Sequence, residues 1–200
     1  MPKIVDHDAR RQELAEVVWR LIAREGLEAV TTRRIASEAG YSNGSLLYYF
    51  SSKEEAIRAA YEFVFDATNK RADARERQRH GLAGLRTLCR EIMPLDAERV
   101  LESKVAITFW QQAISAPEKG ERTNEMFVQW HSEIATRLRE AILDGHTQPD
   151  IDVDMATDEL LSMLMGLQVL GSLLADQLTV QRQEQMLESF LNRLRPQTIS

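Results

Sequence analysis

Small polar side chains cluster near the N-terminus, in the stretch YSNGSLLYYF at residues 41–50. Hydroxyl, amide and phenol groups donate hydrogen bonds to phosphate oxygens and meet base edges, and they do so without a large positive charge. The residues that carry these groups are Ser42, Asn43, Ser45, Tyr48 and Tyr49. Their types predict contact with a nucleic acid, provided that one local structure presents them on a common outer face.

Two local structures compete for this stretch. Asn43-Gly44 is a strong hairpin turn signal, and the aromatic residues after it favour a strand. However, Ser42 is also a good helix N-cap, and Leu46 and Phe50 follow the four-residue spacing of a helix. We predict a short helix, because the neighbouring segments read as helix and offer no partner strand. Since a glycine costs a helix ~1 kcal/mol relative to alanine, we interpret Gly44 as a point where the backbone must come close to DNA.

The segment before this stretch supplies the element that would position it. Residues 31–39 predict a helix with Ile35 and Ala36 on its core side, and Gly40 permits a left-handed turn. Two short helices around such a turn form the helix-turn-helix layout, whose second helix enters the DNA major groove. Thr32, Arg33 and Lys53 lie at helix starts, where backbone amides and the helix dipole favour an anion, so each is a candidate phosphate contact.

Residues 31–57 resemble the TetR family of bacterial transcriptional repressors through TTRRIA, GYSNGSLLYYF and SKEEAI. The resemblance implies a repressor that binds double-stranded, near-palindromic operator DNA as a homodimer and is released by a small-molecule effector. It implies that Asn43 lies near the bases and that DNA contacts come from Thr32, Ser42, Ser45, Tyr48, Tyr49 and Lys53. Tyr49 stands where many members have histidine, so contact with phosphate and packing on the first helix both stay open for it.

Composition limits the other classes of function. A net charge of -6 and a pI near 5.3 argue against binding of polyanions through bulk charge. The single cysteine, Cys89, excludes a disulfide within the chain, and the N-terminus lacks the apolar core of a signal peptide, so we expect a cytoplasmic protein. The most apolar window, residues 160–175, is shorter than a bilayer span, so no membrane association is predicted. The four histidines show no metal-ligand spacing, and no cofactor motif or convergent acid/base set predicts an enzyme.

The rest of the chain is also predicted to be helical. Apolar periodicity predicts an all-α protein of about nine helices, with a helix-turn-helix DNA-binding domain at residues 1–52 and a ligand-binding and dimerisation domain at residues 53–200. One long helix is expected from Lys53 to about His80, and another from Met155 to Leu178.

The second domain is expected to hold an effector pocket between its helices. Its candidate lining residues are aromatic, polarizable or polar: Phe65, Met93, Phe109, Trp110, Gln111, Met126, Trp130 and His131. For any one apolar member, plain core packing is the stronger interpretation. Residues 94–118 also resemble the subgroup of the TetR family related to choline-responsive repressors, which implies an aromatic cage for a quaternary ammonium or polyamine.

The last two helices carry more apolar residues than one core-facing stripe requires. We expect the excess to form a two-fold dimer interface made of Leu164, Leu167, Leu170, Leu174, Leu187, Phe190 and Leu191. The alternative is a helical-bundle adaptor or a small-molecule-binding protein without a DNA function.

Overall fold

The computed structural model describes residues 7–76, 80–115 and 121–196 of the chain. Within these ranges the backbone forms helices and no strand, which confirms the all-α prediction, and a short 3-10 turn spans Leu27–Ala29. The nine α-helices described are α1 (His7–Glu25), α2 (Thr32–Ala39), α3 (Asn43–Tyr49), α4 (Lys53–Glu76), α5 (Gly81–Ile92), α6 (Ala97–Ser115), α7 (Glu121–Leu143), α8 (Val153–Leu173) and α9 (Val180–Leu194).

One predicted helix end was wrong, and a second falls on residues outside the described ranges. Helix α8 ends at Leu173 and not at Leu178, because the Leu174 backbone leaves the helical conformation, with φ −128° and ψ 43°. No glycine or proline marks this stop, so apolar periodicity alone extended the helix too far. Helix α4 is described to Glu76, residues 77–79 lie outside the described ranges, and His80 has an extended backbone and precedes α5 as its N-cap residue.

Local capping explains why α2 and α3 form where they do. Thr31 Oγ1 accepts a hydrogen bond from the Arg34 N–H (3.1 Å), and Ser42 Oγ accepts one from the Ser45 N–H (3.0 Å), so each short helix begins at a capping hydroxyl. Gly40 ends α2 in the left-handed conformation, with φ 72° and ψ 26°. This conformation suits glycine because a side chain there would be strained. The stretch YSNGSLLYYF is therefore a turn followed by a helix, as predicted.

Tertiary contacts hold the recognition helix α3 in place. Ile35 and Ala36 of α2, together with Leu46 and Phe50, are buried in the core. Arg11 of α1 donates to the Tyr49 carbonyl at the end of α3. A helix of seven residues is too short to be stable by itself in water. Its position consequently depends on this buried face and on the anchor at its C-terminal end.

The anchor extends into α4 through Glu55. Arg11 also donates to Glu55 Oε1 (2.9 Å), and its guanidinium lies 4.8 Å from the centre of the Phe50 ring. The other Glu55 oxygen accepts from the Ser51 N–H (2.8 Å) and hydroxyl (2.7 Å). These hydrogen bonds from Ser51, with a further contribution from Arg11, lower the pKa of Glu55 to about 2. Helices α1, α3 and α4 thus meet at one carboxylate.

The remaining helices form a larger unit on which the first three rest. Helix α1 packs against both α4 and α6. Helix α5 is buried along most of its length and contacts α4, α7, α8 and α9. Helix α8 packs on α6 and α7, and Arg86 of α5 pairs with Glu188 of α9 (2.5 Å).

Replacing the anchoring carboxylate by Glu55→Gln should lower the free energy of unfolding by about 1–2 kcal/mol at pH 7, because hydrogen bonds to a charged group are lost. A depressed carboxyl pKa stabilises the fold above the usual value of 4.5, and this contribution falls away as the pH drops towards about 2. The stability difference between the wild type and the variant should therefore shrink in urea titrations between pH 5 and pH 3. Glu28→Gln, at an exposed position, is the matched control. A difference that stays constant over that pH range would contradict the assigned role of Glu55.

Candidate nucleic-acid interface and internal cavity

The outer face of α3 collects the polar residues that the sequence singled out. The side chains of Ser42, Asn43, Ser45 and Tyr48 are exposed, and Tyr48 is 73% exposed. The Ser42 and Ser45 hydroxyl oxygens lie 2.7 Å apart, so one of them donates to the other. Exposed hydroxyl, amide and phenol groups on one short helix form a surface suited to phosphate and base edges.

Gly44 lies on the same exposed face and has no packing partner that requires a glycine. A methyl group built on it would find only Ser42 Oγ, at 4.0 Å. Its backbone is helical, so neither a left-handed conformation nor a close internal contact explains the residue. Nothing in the described part of the chain therefore requires a glycine at position 44.

The two arginines in the first turn of α2, Arg33 and Arg34, differ in whether other side chains already bind them. Arg34 donates to Glu25 (2.8 Å) and to Glu38 (2.8 Å), and Arg24 donates to the same two carboxylates. Arg33 is exposed on the neighbouring position of α2. Arg34 is thus engaged by two carboxylates at the surface, whereas Arg33 faces solvent at the N-terminal end of the helix.

Two other residues that were predicted to contact phosphate have less exposed side chains. Thr32 is half-buried in the first turn of α2. Lys53, also half-buried, begins α4, and its Nζ donates to the Leu27 carbonyl (3.3 Å) in the loop after α1. A phosphate contact by Lys53 requires that its ammonium group exchange this carbonyl for the DNA backbone.

Tyr49 packs on the protein. It is half-buried, and its ring lies 6.0 Å from that of Tyr41, 5.3 Å from that of Tyr48 and 5.0 Å from that of His7. Of the two roles that the sequence left open, packing against the first helix is the one seen in the free protein. His7 was missed by sequence reasoning, since a single histidine outside any motif carries no signal.

A small cavity of about 20 Å³ lies between α4, α5, α6, α7 and α8. This volume has room for a single water molecule. Aromatic rings of Tyr61, Phe65 and Trp130 form part of its wall, and polar groups form much of the rest: Thr68, Glu91, Arg99, Glu102, Ser103 and Gln168.

The predicted pocket residues divide into three groups in the structure. Phe65 and Trp130 line the cavity. Four others are buried in the core but do not line it: Met93, Phe109, Trp110 and Met126. Gln111 is exposed, and His131 is only half-buried and pairs with Asp158 (3.2 Å). The sequence paired Gln111 and His131 with adjacent tryptophans, but successive residues of a helix point in different directions, which places these two side chains away from the cavity.

Beside the cavity lies a group of buried ion pairs that the sequence did not indicate. Arg71 of α4 binds Glu102 of α6 through two hydrogen bonds (2.9 and 2.7 Å) and Glu91 of α5 through a third (3.1 Å). Arg99 also donates to Glu91 (2.8 Å). Burial raises the pKa of the Glu102 carboxyl above its usual range, against the hydrogen bonds from Arg71 that lower it.

Two polar atoms at the cavity have no hydrogen-bond partner. They are Arg99 Nε, a donor, and Gln168 Oε1, an acceptor, and both are buried. The Gln168 amide nitrogen is already bound to the Ile92 carbonyl (3.0 Å). A buried donor and acceptor without partners are costly, and a small polar molecule in the cavity would satisfy them.

The apolar residues of α8 and α9 only partly match the predicted dimer interface. Leu164, Leu167, Leu187, Phe190 and Leu191 are buried within their own chain, so they cannot form an exposed interface in this conformation. They fill the core because α8 packs between α6 and α7, and α9 packs on α5. Leu170 and Leu174 are exposed, as are three further apolar residues of this region: Met155, Leu173 and Val180.

The described residues were also compared with the requirements of a metal site and of a membrane-spanning helix. Among them, no three His, Cys, Asp or Glu side chains are placed to hold a metal ion. No helix in these ranges is both long and apolar enough to cross a membrane.

Comparison with known proteins places this arrangement in a family. Residues 16–60 match the family model of bacterial regulatory proteins of the tetR family, and residues 81–196 match the C-terminal model of BetI-type transcriptional repressors. A transcriptional regulator from Saccharomonospora viridis, solved in complex with choline, shares the fold, with a TM-score of 0.87 and 24% identity over 95% of this chain and 100% of that one.

Curated relatives agree with the family models. The HTH-type transcriptional regulator PksA of Bacillus subtilis is 30% identical over 172 residues, which cover 84% of this chain and 80% of PksA. The HTH-type transcriptional repressor KstR2 of Rhodococcus jostii is 33% identical over 156 residues, or 74% of this chain and 72% of KstR2. The resemblance seen in the sequence is thereby confirmed, and the chain belongs to the TetR family of DNA-binding transcriptional regulators.

Proposed function

We propose that this regulator is a repressor that binds a near-palindromic operator as a homodimer and leaves it when a small-molecule effector binds. The observation that carries the proposal is the exposed polar face of α3 on a helix whose opposite face is buried and anchored. Such a helix presents its outer residues to the DNA major groove in a fixed register.

The exposure of each side chain suggests which part of the DNA it would contact. Asn43 and Ser45 would meet base edges, Tyr48 and Ser42 would donate to phosphate, and Gly44 would let the backbone approach the DNA. Supporting phosphate contacts would come from Thr32, Arg33 and Lys53, with Tyr49 backing Tyr48. We place the domain boundary between residues 52 and 53, where α4 begins. The N-terminal family model matches residues 16–60, so it crosses this boundary, and the C-terminal model matches residues 81–196.

The DNA-binding face can be tested by paired substitutions. Tyr48→Ala and Arg33→Ala should each weaken operator binding by ~1–3 kcal/mol, while thermal unfolding stays unchanged because both side chains are exposed. Loss of one Arg33–phosphate contact per protomer should also reduce the slope of log K against log salt by about 1.8 in a dimer. Fluorescence anisotropy with a duplex selected by the wild-type protein from a random library measures both.

Arg139→Ala, an exposed arginine on α7, is the matched control and should bind as the wild type does. If Tyr48→Ala, Arg33→Ala and the control all bind alike, the face is wrongly assigned. If the wild type selects no duplex at all, the proposed function fails.

The homodimer would form through the exposed apolar residues of α8 and of the turn after it. Leu173, 73% exposed, lies beside Leu170 and Leu174, and Gly166 on α8 has open space at its side chain position. Large exposed apolar groups that lie together indicate an interface. The proposed interface is therefore centred on Leu170, Leu173 and Leu174, and the buried leucines of α8 and α9 support it from behind.

A charge placed in this interface should separate the protomers. We expect the wild type to sediment as a dimer at micromolar concentration and Leu173→Glu to sediment as a monomer with greatly reduced operator affinity. Val128→Glu, at an exposed apolar position on α7, is the control and should remain dimeric. A monomeric wild type, or a dimeric Leu173→Glu variant, would contradict the proposal.

The effector would bind at the cavity between α4 and α8, after the cavity has widened. Arg71, which pairs with two carboxylates of the cavity wall, is the movable group beside it, since its side chain is 29% exposed while its partner Glu91 is fully buried. Tyr61, Phe65 and Trp130 offer aromatic faces, and the buried Glu102 carboxylate would be stabilised by a nearby positive charge. These groups, and the choline found in the Saccharomonospora viridis regulator, favour a small organic cation.

Widening the cavity would act on the DNA-binding face through α4. Arg71 and Lys53 lie on this one helix, about 27 Å apart along its axis. An effector that displaces Arg71 from Glu102 would shift α4, and with it the Glu55 anchor of α3.

Effector class can be tested by calorimetry and thermal shift. Choline or a related ammonium compound should raise Tm and weaken operator binding, whereas benzoate, an aromatic anion, should do neither. Glu102→Gln should reduce cation affinity about tenfold while operator binding without ligand persists. Thr108→Val, on the exposed side of α6, serves as the control. Binding of benzoate together with no heat from any cation would overturn the assignment.

A further inference from the structure

The first residue of α1 lies against the tyrosines of the recognition helix. The His7 ring centre is 5.0 Å from that of Tyr49, with the planes tilted by 32°, and 5.2 Å from that of Tyr48, edge to face at 73°. Tyr48 and Tyr49 are themselves perpendicular, at 5.3 Å and 88°. Three rings from two distant parts of the chain thus form one cluster on the outer surface, which we call the His7–Tyr48–Tyr49 cluster.

This cluster explains how a highly exposed side chain keeps a fixed position. Tyr48 is 73% exposed and so has little core packing to restrict its rotamers. Contacts with His7 on one side and Tyr49 on another restrict them instead. A side chain ordered before binding loses less conformational entropy when it meets its partner. His7 therefore prepares Tyr48 for contact although it does not belong to the helix-turn-helix.

His7 also differs from the other charged groups around the cluster. On α1, Arg10 pairs with Glu13 (2.5 Å), and Arg11 pairs with Glu55 of α4 (2.9 Å) and with the Tyr49 carbonyl. Further titratable groups near the cluster, among the described residues, are Asp8 next to His7 on α1, Tyr41, whose ring lies 6.0 Å from that of Tyr49, and the two cluster tyrosines on α3. None of these side chains ordinarily changes charge near neutral pH, whereas histidine gains its positive charge between pH 5 and pH 8.

Resting on the proposed DNA-binding function, we propose that His7 is a further element of the DNA interface, which positions Tyr48 and Tyr49 and couples operator binding to proton uptake. Protonated His7 attracts the tyrosine faces more strongly through a cation–π interaction. The same charge lies next to the phosphates that Tyr48 approaches. DNA therefore binds the protonated protein more tightly, and by linkage DNA binding promotes protonation of His7.

The test is the pH dependence of operator affinity for the full-length protein and three variants. Anisotropy titrations at pH 8, 7 and 6, at constant ionic strength, use a duplex selected by the wild type from a random library. Wild-type affinity should rise by about tenfold between pH 8 and pH 6, since each dimer takes up protons on two histidines. His7→Phe keeps an aromatic ring without the charge, so it should match the wild type at pH 8 and lose most of the rise.

His7→Arg gives the opposite pattern because it carries its charge at every pH. It should bind at pH 8 as tightly as the wild type does at pH 6, with a flat profile. His131→Gln, which removes another partly exposed histidine, is the control and should keep the wild-type profile. Unchanged Tm values for all variants would show that the effects arise in the interface.

Three outcomes would overturn the inference: a flat wild-type profile, a rise that persists in His7→Phe, or a rise that disappears in His131→Gln. Failure of the wild type to bind any selected duplex at any of the three pH values would overturn the proposed function itself. Tight, pH-independent binding by the wild type would leave that function intact and refute only the role of His7.

Discussion

Helix α4 connects α1 to α5 and α6, and the rest of the structure depends on this connection. In its first turn, Glu55 accepts hydrogen bonds from Arg11 of α1 and from Ser51, and Arg11 also donates to the Tyr49 carbonyl at the end of α3. About four and a half turns later, Arg71 joins the same helix to Glu91 of α5 and Glu102 of α6. The backbone hydrogen bonds of a continuous helix resist bending, so a displacement near Arg71 would be passed in part to the first turn. The proposed DNA-binding face and the cavity are thus connected by one helix.

The recognition helix gains its order from its neighbours and little from its own sequence. Seven residues with a glycine in the first turn form a weak helix, and the Ser42 cap offsets only part of that weakness. Buried Leu46 and Phe50 and the Arg11 anchor supply the remainder. Because these contacts hold the helix in place, the residues on its outer face are not needed for its stability. Their side chains can therefore serve contact with DNA. Gly44 illustrates this, since the fold has no need of it.

Local patterns in the sequence were enough to predict the DNA-binding unit. Ser42 as a cap, Gly40 as a left-handed turn and the spacing of Leu46 and Phe50 are all decided within a few residues. The packing of the C-terminal helices was harder to predict, because the number of apolar residues does not show which of them are buried by other parts of the same chain. Leu164 and Leu167 are covered by their own chain, whereas Leu173, which belongs to the same apolar pattern, is exposed. The Arg71–Glu102 pair joins residues far apart in the chain, and no periodic signal marks such a pair.

The distribution of charge suits a regulator that must tell one site from many. Binding to arbitrary DNA depends on cations that neutralise phosphates, and an acidic chain has a low bulk tendency to do so. Beside α3, ion pairs with Glu25, Glu38 and Glu55 already occupy Arg34 and Arg11. An arginine that binds a phosphate in place of its carboxylate partner loses one ion pair for the one it forms. Its net contribution to the binding free energy is therefore small. In the proposed function, affinity would then rest on the hydroxyl, amide and phenol contacts of α3. Such contacts require a matching base sequence and groove, which would raise the ratio of specific to non-specific binding.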